Sequence, residues 1–285
     1  MNKKSDDEIR AALDGVRANC DFDVRRENDP VGIVHRYASR EDRELVGLVA
    51  ALIAFGNVKT IRGKLQDLLD RVGKKPARAA DHPEKIFSDL QGWKHRVFLG
   101  EDLARLMIGA RLVQKESGSL GKKFATDLAR EKNVQGALAS FCDAIRDRGR
   151  LDDGKKNGRR GPAHLLPNPR GGSGSKRLLL YLRWMVRPAD GIDFGIWDVD
   201  PAVLLCPVDT HIHKLSLNLG FTREKTMSWK TTREITGALA RLDPKDPVKY
   251  DFSLCHLGML QHCPSRRDPK KCEGCGVKPI CRHWG

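Results

Sequence analysis

The sequence predicts a mostly helical protein of the all-α class. Apolar residues recur at helical spacing in several long stretches. No segment shows the alternation of apolar and polar residues that is typical of a half-buried strand. With 285 residues, of which 40% are hydrophobic, the chain is long enough for one large domain or two modest ones with cores of their own.

The first long stretch, REDRELVGLVAALIAFGN, predicts a central helix that is buried on most sides. Charged residues open it, and an almost continuous apolar run follows in which Leu45, Leu48 and Leu52 share helical spacing. Gly56 and Asn57 end the run. Three amphipathic helices are predicted further along the chain, in VKTIRGKLQDLLDRVG, GEDLARLMIGARLVQKESGS and NVQGALASFCDAIRDRG.

The segment from Arg146 to Arg177 has a different composition, rich in glycine, proline and positive charge. It holds ten Lys or Arg against three Asp, a net charge of +7 out of the +15 of the whole chain. Such a composition is typical of a disordered basic linker. The segment nevertheless ends in GGSGSKR and continues into the apolar stretch LLLYLRWMV, and a glycine-rich turn that opens a helix directs backbone N–H groups at an anion.

The net charge suggests a polyanionic partner, with nucleic acid as the first candidate and a solvated basic surface as the alternative. No stretch approaches eighteen uninterrupted apolar residues, so no membrane-spanning helix is expected. The N-terminal MNKKSDDEIRAAL lacks the apolar segment of a secretory signal, which favours a cytosolic location. In that compartment cysteines are expected to be reduced or bound to metal.

Four cysteines crowd the end of the chain: Cys263, Cys272, Cys275 and Cys281, with gaps of eight, two and five residues. Four thiolates in one compact loop bind either zinc or an iron–sulfur cluster. Zinc stays open, but a single C-x2-C pair wrapped unevenly by one loop favours a [4Fe–4S] cluster. Cys255 lies in the apolar stretch FSLCHLGML and is interpreted as a core residue.

The tail LGMLQHCPSRRDPKKCEGCGVKPICRHW resembles the iron–sulfur loop of endonuclease III-like DNA glycosylases, the helix-hairpin-helix superfamily. That superfamily usually has gaps of six, two and five, so this chain has two extra residues in the first gap. The resemblance implies a [4Fe–4S] cluster on the four cysteines. It also implies that the loop between the first two ligands, with Arg266, Arg267, Lys270 and Lys271, contacts the DNA backbone.

Two further segments carry the same resemblance. PVDTHIHKLSLNLGF is similar to the superfamily's VDTH segment, in which an aspartate opens a helix and serves catalysis; that residue is Asp209 here. A plain helix cap is the alternative role for an aspartate in this position. GSGSKR places Gly172, Gly174 and Lys176 in register with the hairpin glycines and the lysine of bifunctional members. Ser173 replaces the apolar residue expected between the glycines.

The resemblance implies a two-domain helix-hairpin-helix glycosylase fold with a C-terminal iron–sulfur loop. Residues 41–187 would form a helical barrel domain that ends in the hairpin, and residues 1–40 with 188–285 would form a terminal domain with the aspartate and the cluster. NDPVGIVHRY, ALIAFGNVKTI and WKHRVF are similar to a bacterial branch of the superfamily, so the resemblance covers most of the chain.

The implied function is excision of a damaged base from double-stranded DNA, with a Schiff-base lyase step on Lys176. The residues expected to contact DNA are Gly172, Gly174, Arg177, Arg159, Arg160, Arg266, Arg267 and Asn57. The rings expected to stack on a flipped base are Trp197, Phe194 and Trp184, with a place in the core as the alternative. A DNA-binding protein of the same fold without glycosylase chemistry is the alternative function.

Overall fold

The computed structural model describes residues 4–284, with the side chains of residues 155–157 excepted. The described chain is mostly helical, and its single sheet has two short strands, so the all-α prediction is confirmed. No helix among the described residues has the length and apolar character that crossing a membrane requires.

The helices before the sheet are α1 Asp6–Ala18, α2 Phe22–Glu27, α3 Val31–Val34, α4 Arg40–Ile53, α5 Val58–Val72, α6 Pro76–Ala79 and α7 Pro83–Asp89. Strands β1 Lys94–His95 and β2 Phe98–Leu99 pair antiparallel. After them come α8 Gly100–Ser117, α9 Leu120–Glu131, α10 Val134–Arg148, α11 Gly161–Leu165, α12 Lys176–Val186, α13 Thr210–Leu219, α14 Trp229–Ala240 and α15 Asp251–Leu260. Short 3-10 helices occupy Leu151–Gly158, Pro169–Gly171, Pro201–Val203 and Lys278–Ile280.

The chain divides into two compact units. The C-terminal unit contains the residues up to Phe22, Gly172–Arg183 and the residues from Asp200 onward; the N-terminal unit contains Asp23–Gly171 and Trp184–Val199. These boundaries differ from the predicted ones at 40/41 and 187/188. As a result, the hairpin glycines and Lys176 fall in the same unit as Asp209 and the four cysteines.

Helix α4 is the centre of the N-terminal unit, as its apolar run predicts. Its residues from Leu45 to Ile53 are buried, and it packs against α8. Glu44 is 1% exposed, yet its carboxylate accepts hydrogen bonds from the backbone N–H groups of Leu120 and Gly121, at 2.9 and 3.2 Å. The carboxylate thereby satisfies the first N–H groups of α9, which is why a charged residue is tolerated inside this core.

The basic segment of the N-terminal unit is folded rather than a plain linker. It forms the 3-10 helix Leu151–Gly158 and the short helix α11. Arg159 donates to the fully buried Asp102 at 2.6 Å, and Gly161 lies so close that a Cβ there would approach the same carboxylate oxygen at 2.8 Å. The composition of this segment is typical of a disordered linker, but the segment is ordered because Arg159 binds the buried Asp102.

The C-terminal unit is built on α1, α12, α13, α14 and α15. Helices α13 and α15 cross closely at Gly258, where a Cβ would approach the Cβ of His211 at 3.0 Å. Helix α1 joins this unit through a hydrogen bond from the Tyr250 hydroxyl to Asp14, at 2.7 Å. The packing brings the first turn of α13 next to the middle of α15, and the candidate site lies there.

Candidate active site and cysteine cluster

The glycine-rich turn before α12 is held by backbone pairing with the segment before α14. Gly174 N–H donates to the Met227 carbonyl at 3.1 Å, and Trp229 N–H donates to the Gly172 carbonyl at 3.0 Å. Gly172 has φ +80°, a conformation that favours glycine. A Cβ on Gly174 would lie 3.1 Å from the Thr232 hydroxyl. Local structure therefore favours glycine at both positions of the turn. Lys176 begins α12 directly after this turn and is half-buried.

Asp209 is the N-cap of α13, so its predicted capping role is confirmed. Its Oδ1 accepts hydrogen bonds from the backbone N–H groups of His211 and Ile212, at 2.9 and 2.8 Å. Its Oδ2 points elsewhere and accepts a hydrogen bond from the Cys255 thiol at 3.3 Å. The cap fixes one oxygen of the carboxylate, and the orientation of the other oxygen depends on α15.

Cys255 is the residue on which the two predicted catalytic residues converge. Burial raises the pKa of its thiol well above the ordinary value, and the negative charges of Asp209 and Asp251 raise it further. The positive charge of Lys176 lowers the same pKa. Lys176 and Asp209 therefore both lie within electrostatic reach of one sulfur atom. Cys255 as a whole residue is half-buried.

A buried ionic group lies behind this trio. The guanidinium of Arg183, 3% exposed, forms an ion pair and hydrogen bond with Asp251. The Cys206 thiol donates to the other oxygen of Asp251 at 3.6 Å. Burial raises the pKa of the Asp251 carboxyl, and the positive charge of Arg183 opposes that shift. Arg183 therefore balances a second negative charge close to Asp209.

Four residues of this group were absent from the predicted site: Arg183, Cys206, Asp251 and Cys255. A weak signal was available for three of them. Arg183 follows Lys176 by seven residues, and Cys255 follows Asp251 by four, so each pair shares one helix face. Cys206 carried no such signal, because its partner lies 45 residues away.

Arg177, the second residue of α12, is also partly buried. Burial lowers the pKa of its guanidinium to about 10. It lies beside the glycine turn, which is where the sequence predicted a phosphate contact, and its contact with DNA stays a prediction.

The four C-terminal cysteines surround one cavity. Cys263, Cys272, Cys275 and Cys281 all line one pocket, together with Leu215, Leu219, Val277 and Trp284. Burial raises the thiol pKa of Cys263, Cys275 and Cys281, and in each case the charge of another cysteine of the set adds to the effect. The thiolates would thus repel one another unless a positively charged centre lay between them.

Hydrogen-bond donors point at these sulfurs. The Asn218 side-chain amide donates to the Cys263 sulfur at 3.2 Å. Backbone N–H groups of Val277 and Lys278 bond to Cys275, and that of His283 bonds to Cys281; these bonds lower the thiol pKa values against the effect of burial. Amide donors on thiolate sulfurs, in a partly apolar cavity, are the surroundings that a cysteine-ligated iron–sulfur cluster requires.

The types of donor around this pocket, four thiols with amide N–H groups directed at them, are those of a four-thiolate site. Within residues 4–284, no three His, Cys, Asp or Glu side chains converge on a point where they could hold one metal ion. The identity of the group stays a prediction.

The predicted DNA-contacting cations differ in their surroundings. Arg266 and Arg267 are exposed, and the guanidinium of Arg267 lies over the Trp284 ring at 4.1 Å. In the N-terminal unit Arg160 is exposed, whereas Arg159 is engaged with Asp102. Asn57 caps α5 by accepting a hydrogen bond from the Thr60 N–H at 3.2 Å. Arg160, Arg266 and Arg267 are thus the cations of this set most open to a polyanion.

The rings predicted to stack on a flipped base lie in the core of the N-terminal unit. Trp184 is 1% exposed, Trp197 3% and Phe194 8%. Trp197 donates its indole N–H to Glu44 at 2.9 Å, and Phe194 lies against His35 with 4.3 Å between ring centroids. In this arrangement none of the three rings has an exposed face on which a base could stack. They are core residues, which was the alternative interpretation.

Residues 29–260 match a protein family described as "Protein of unknown function (DUF2400)". The match covers most of the chain, and the chain belongs to this family. The matched residues include Lys176, Asp209 and Cys255 and end three residues before Cys263. No curated protein matches the chain, and no solved structure matches it.

Proposed function

We propose that this DUF2400 protein is a DNA repair glycosylase that excises a damaged base and then cleaves the strand by a lysine-dependent lyase step. The observation that carries the proposal is the convergence of Lys176 and Asp209 on the Cys255 thiol within one compact unit. An amine that can act as a nucleophile and a carboxylate in the same site are the groups that this reaction needs.

Lys176 is proposed as the nucleophile. Its neutral amine attacks C1′ of the damaged nucleotide, the bond from C1′ to the base breaks, and the base departs with the bonding electrons. Loss of a proton from nitrogen and opening of the sugar ring give a protonated Schiff base between Lys176 and C1′. Removal of a proton from C2′ then expels the 3′ phosphate and nicks the strand.

Asp209 is proposed to stabilise the positive charge that develops on the sugar as the base departs. Its carboxylate is held at Oδ1 by two backbone N–H groups, so it does not have to reorganise when that charge appears. The negative charge of the nearby Asp251 is balanced by its buried ion pair with Arg183.

The proposed cofactor is a [4Fe–4S] cluster held by Cys263, Cys272, Cys275 and Cys281. When bound, a fully ligated cluster supplies structure or a redox response rather than a binding place for substrate. Its ligand loop would present Arg266 and Arg267 to the backbone of double-stranded DNA. We further propose that the protein acts as a monomer in the bacterial cytoplasm, in association with the nucleoid.

Borohydride trapping on a panel of duplexes with different damaged bases tests the proposal. The wild-type protein should form a covalent adduct with at least one duplex, because borohydride reduces the Schiff base irreversibly. Lys176→Gln should abolish both adduct and strand cleavage while keeping most of the DNA affinity. Asp209→Asn can still cap α13, so it should fold and slow base release by a factor on the order of 10² to 10³.

Two results would change the conclusion. Full-rate base release by Lys176→Gln would make the enzyme a monofunctional glycosylase in which Asp209 activates water. A panel with no Lys176-dependent product, combined with tight binding of DNA, would favour the non-catalytic DNA-binding protein of the same fold.

A further inference from the structure

A lysine nucleophile and a neighbouring carboxylate create a conflict. A carboxylate that forms a close ion pair with an ammonium favours the protonated amine, and a protonated amine is not a nucleophile. Among the side chains that the structure describes, none forms an ion pair or a hydrogen bond with the Lys176 amine. Asp209 instead forms its hydrogen bonds with residues of α13 and α15.

The groups that donate hydrogen bonds to the Asp209 carboxylate come from helices α13 and α15. Oδ1 is taken by two backbone N–H groups of α13, and Oδ2 is taken by the Cys255 thiol of α15 at 3.3 Å. A thiol has one proton to donate and carries no charge in this form. It can thus hold the oxygen without adding a positive charge that would compete with the developing charge on the sugar.

We infer that Cys255 is a positioning residue for the proposed reaction: its S–H group holds Oδ2 of Asp209 and prevents this carboxylate from closing onto the Lys176 amine. The inference rests on the proposed function. It gives Cys255 a role that differs from that of a core cysteine, because its surroundings are two carboxylates and a lysine rather than apolar side chains alone.

The charges around the sulfur support this role. Asp209 on α13 and Asp251 on α15 both favour the protonated thiol, while Lys176 on α12 opposes them. Arg183, also on α12, is paired with Asp251 and so reduces the influence of that carboxylate. His211 on α13 packs against Gly258, one turn further along α15. The thiol accordingly stays protonated at neutral pH, as a donor must.

The reactivity of the thiol tests the arrangement without any need for catalysis. In the full-length protein at pH 8, Asp209→Asn should raise the rate of Cys255 alkylation by iodoacetamide at least about fivefold. Loss of the negative charge lowers the pKa of the thiol and so increases the fraction of reactive thiolate. Lys176→Gln should lower the same rate about twofold or more. Asp7→Asn, on the exposed face of α1, is the matched control and should leave the rate unchanged. Peptide mass spectrometry identifies Cys255 among the other cysteines.

Trapping on a cleavable duplex, followed against pH, tests the role in the reaction. Cys255→Ser keeps a donor and should stay within about threefold of the wild-type trapping rate with the same pH profile. Cys255→Ala removes the donor, so its profile should move about one pH unit to the alkaline side and its rate at pH 7 should fall about tenfold. If the variants and the wild-type protein have equal melting temperatures and equal DNA affinities, altered packing is not the cause of the change in trapping.

Each outcome decides one claim. A Cys255→Ala profile that superimposes on the wild-type profile overturns the inference, as does an equal loss in the serine and alanine variants. Alkylation rates that respond to neither Asp209→Asn nor Lys176→Gln overturn it independently of activity. A wild-type protein that traps nothing overturns the proposed function, whereas alkylation rates that still respond would support the Asp209–Cys255 contact on their own.

Discussion

At the scale of single residues, the C-terminal unit is organised around buried charges that are matched to specific partners. Asp251 is 3% exposed and would be costly to bury as an isolated anion, but Arg183 and Cys206 engage both of its oxygens. Removal of one member of such a pair leaves the other as an uncompensated buried charge, and this costs more than the pair contributes when intact.

We therefore expect Asp251→Asn, which nearly preserves shape, to lower the free energy of unfolding by about 3 to 5 kcal/mol. Urea denaturation at pH 7 measures this change. The matched control is Asp89→Asn, which removes a carboxylate from an ion pair with Lys85, whose side chain is 65% exposed. That variant should change stability by less than about 0.5 kcal/mol, because surface ion pairs contribute little. Equal effects in the two variants would contradict the structural role assigned to Asp251.

At the scale of structural elements, the segment after α15 has little secondary structure of its own. It contains the 3-10 helix Lys278–Ile280, and its four cysteines line a pocket next to α13. A short segment with few regular hydrogen bonds depends on its ligand to define a conformation, as small metal-binding loops do. If the cysteines bind the proposed cluster, we expect this element to be ordered by it.

Protein purified without exposure to air should be yellow-brown, absorb broadly near roughly 400 nm and contain about four irons per chain. Cys272→Ser should lose most of the iron and make the C-terminal segment sensitive to protease. Cys255→Ser is the matched control and should keep the full iron content, because its sulfur faces Asp209 instead of the cavity. One zinc per chain with no iron would show that the prediction of a cluster is wrong.

At the scale of the whole molecule, the dominant property is a net charge of +15. Part of this charge is used internally, since Arg159 and Arg183 each face a buried aspartate. The exposed remainder includes Arg160, Arg266 and Arg267. Only charges that are free to displace counterions contribute to the salt dependence of DNA binding.

Binding to duplex DNA should weaken steeply with salt. If about six phosphates are neutralised, log K should fall with log salt with a slope of about −5. Arg160→Gln, or Arg266→Gln together with Arg267→Gln, should flatten the slope by nearly one unit for each phosphate that is no longer neutralised. Arg159→Gln should mainly reduce stability, because it leaves Asp102 buried without its guanidinium partner. A wild-type slope near zero would exclude DNA as the partner of this surface.

Features that depend on local spacing could be predicted from the sequence. Helices α4, α5, α8 and α10 follow from apolar periodicity, and Asp209 was recognisable as a cap because its partners lie within three residues of it. The same holds for the hairpin glycines, whose register with Lys176 is local. The spacing of the four cysteines also anticipated that they would line one cavity.

The contacts between residues far apart in the chain depend on how the helices pack. Cys255 and Asp209 are 46 residues apart, and Arg183 and Asp251 are 68 apart, so no periodicity relates them. Packing also reassigned Trp197, which the sequence offered as a base-stacking ring, to a buried hydrogen bond with Glu44, 153 residues away. A local pattern reports the face of a helix that is buried, but the group buried against that face depends on the packing of the whole chain.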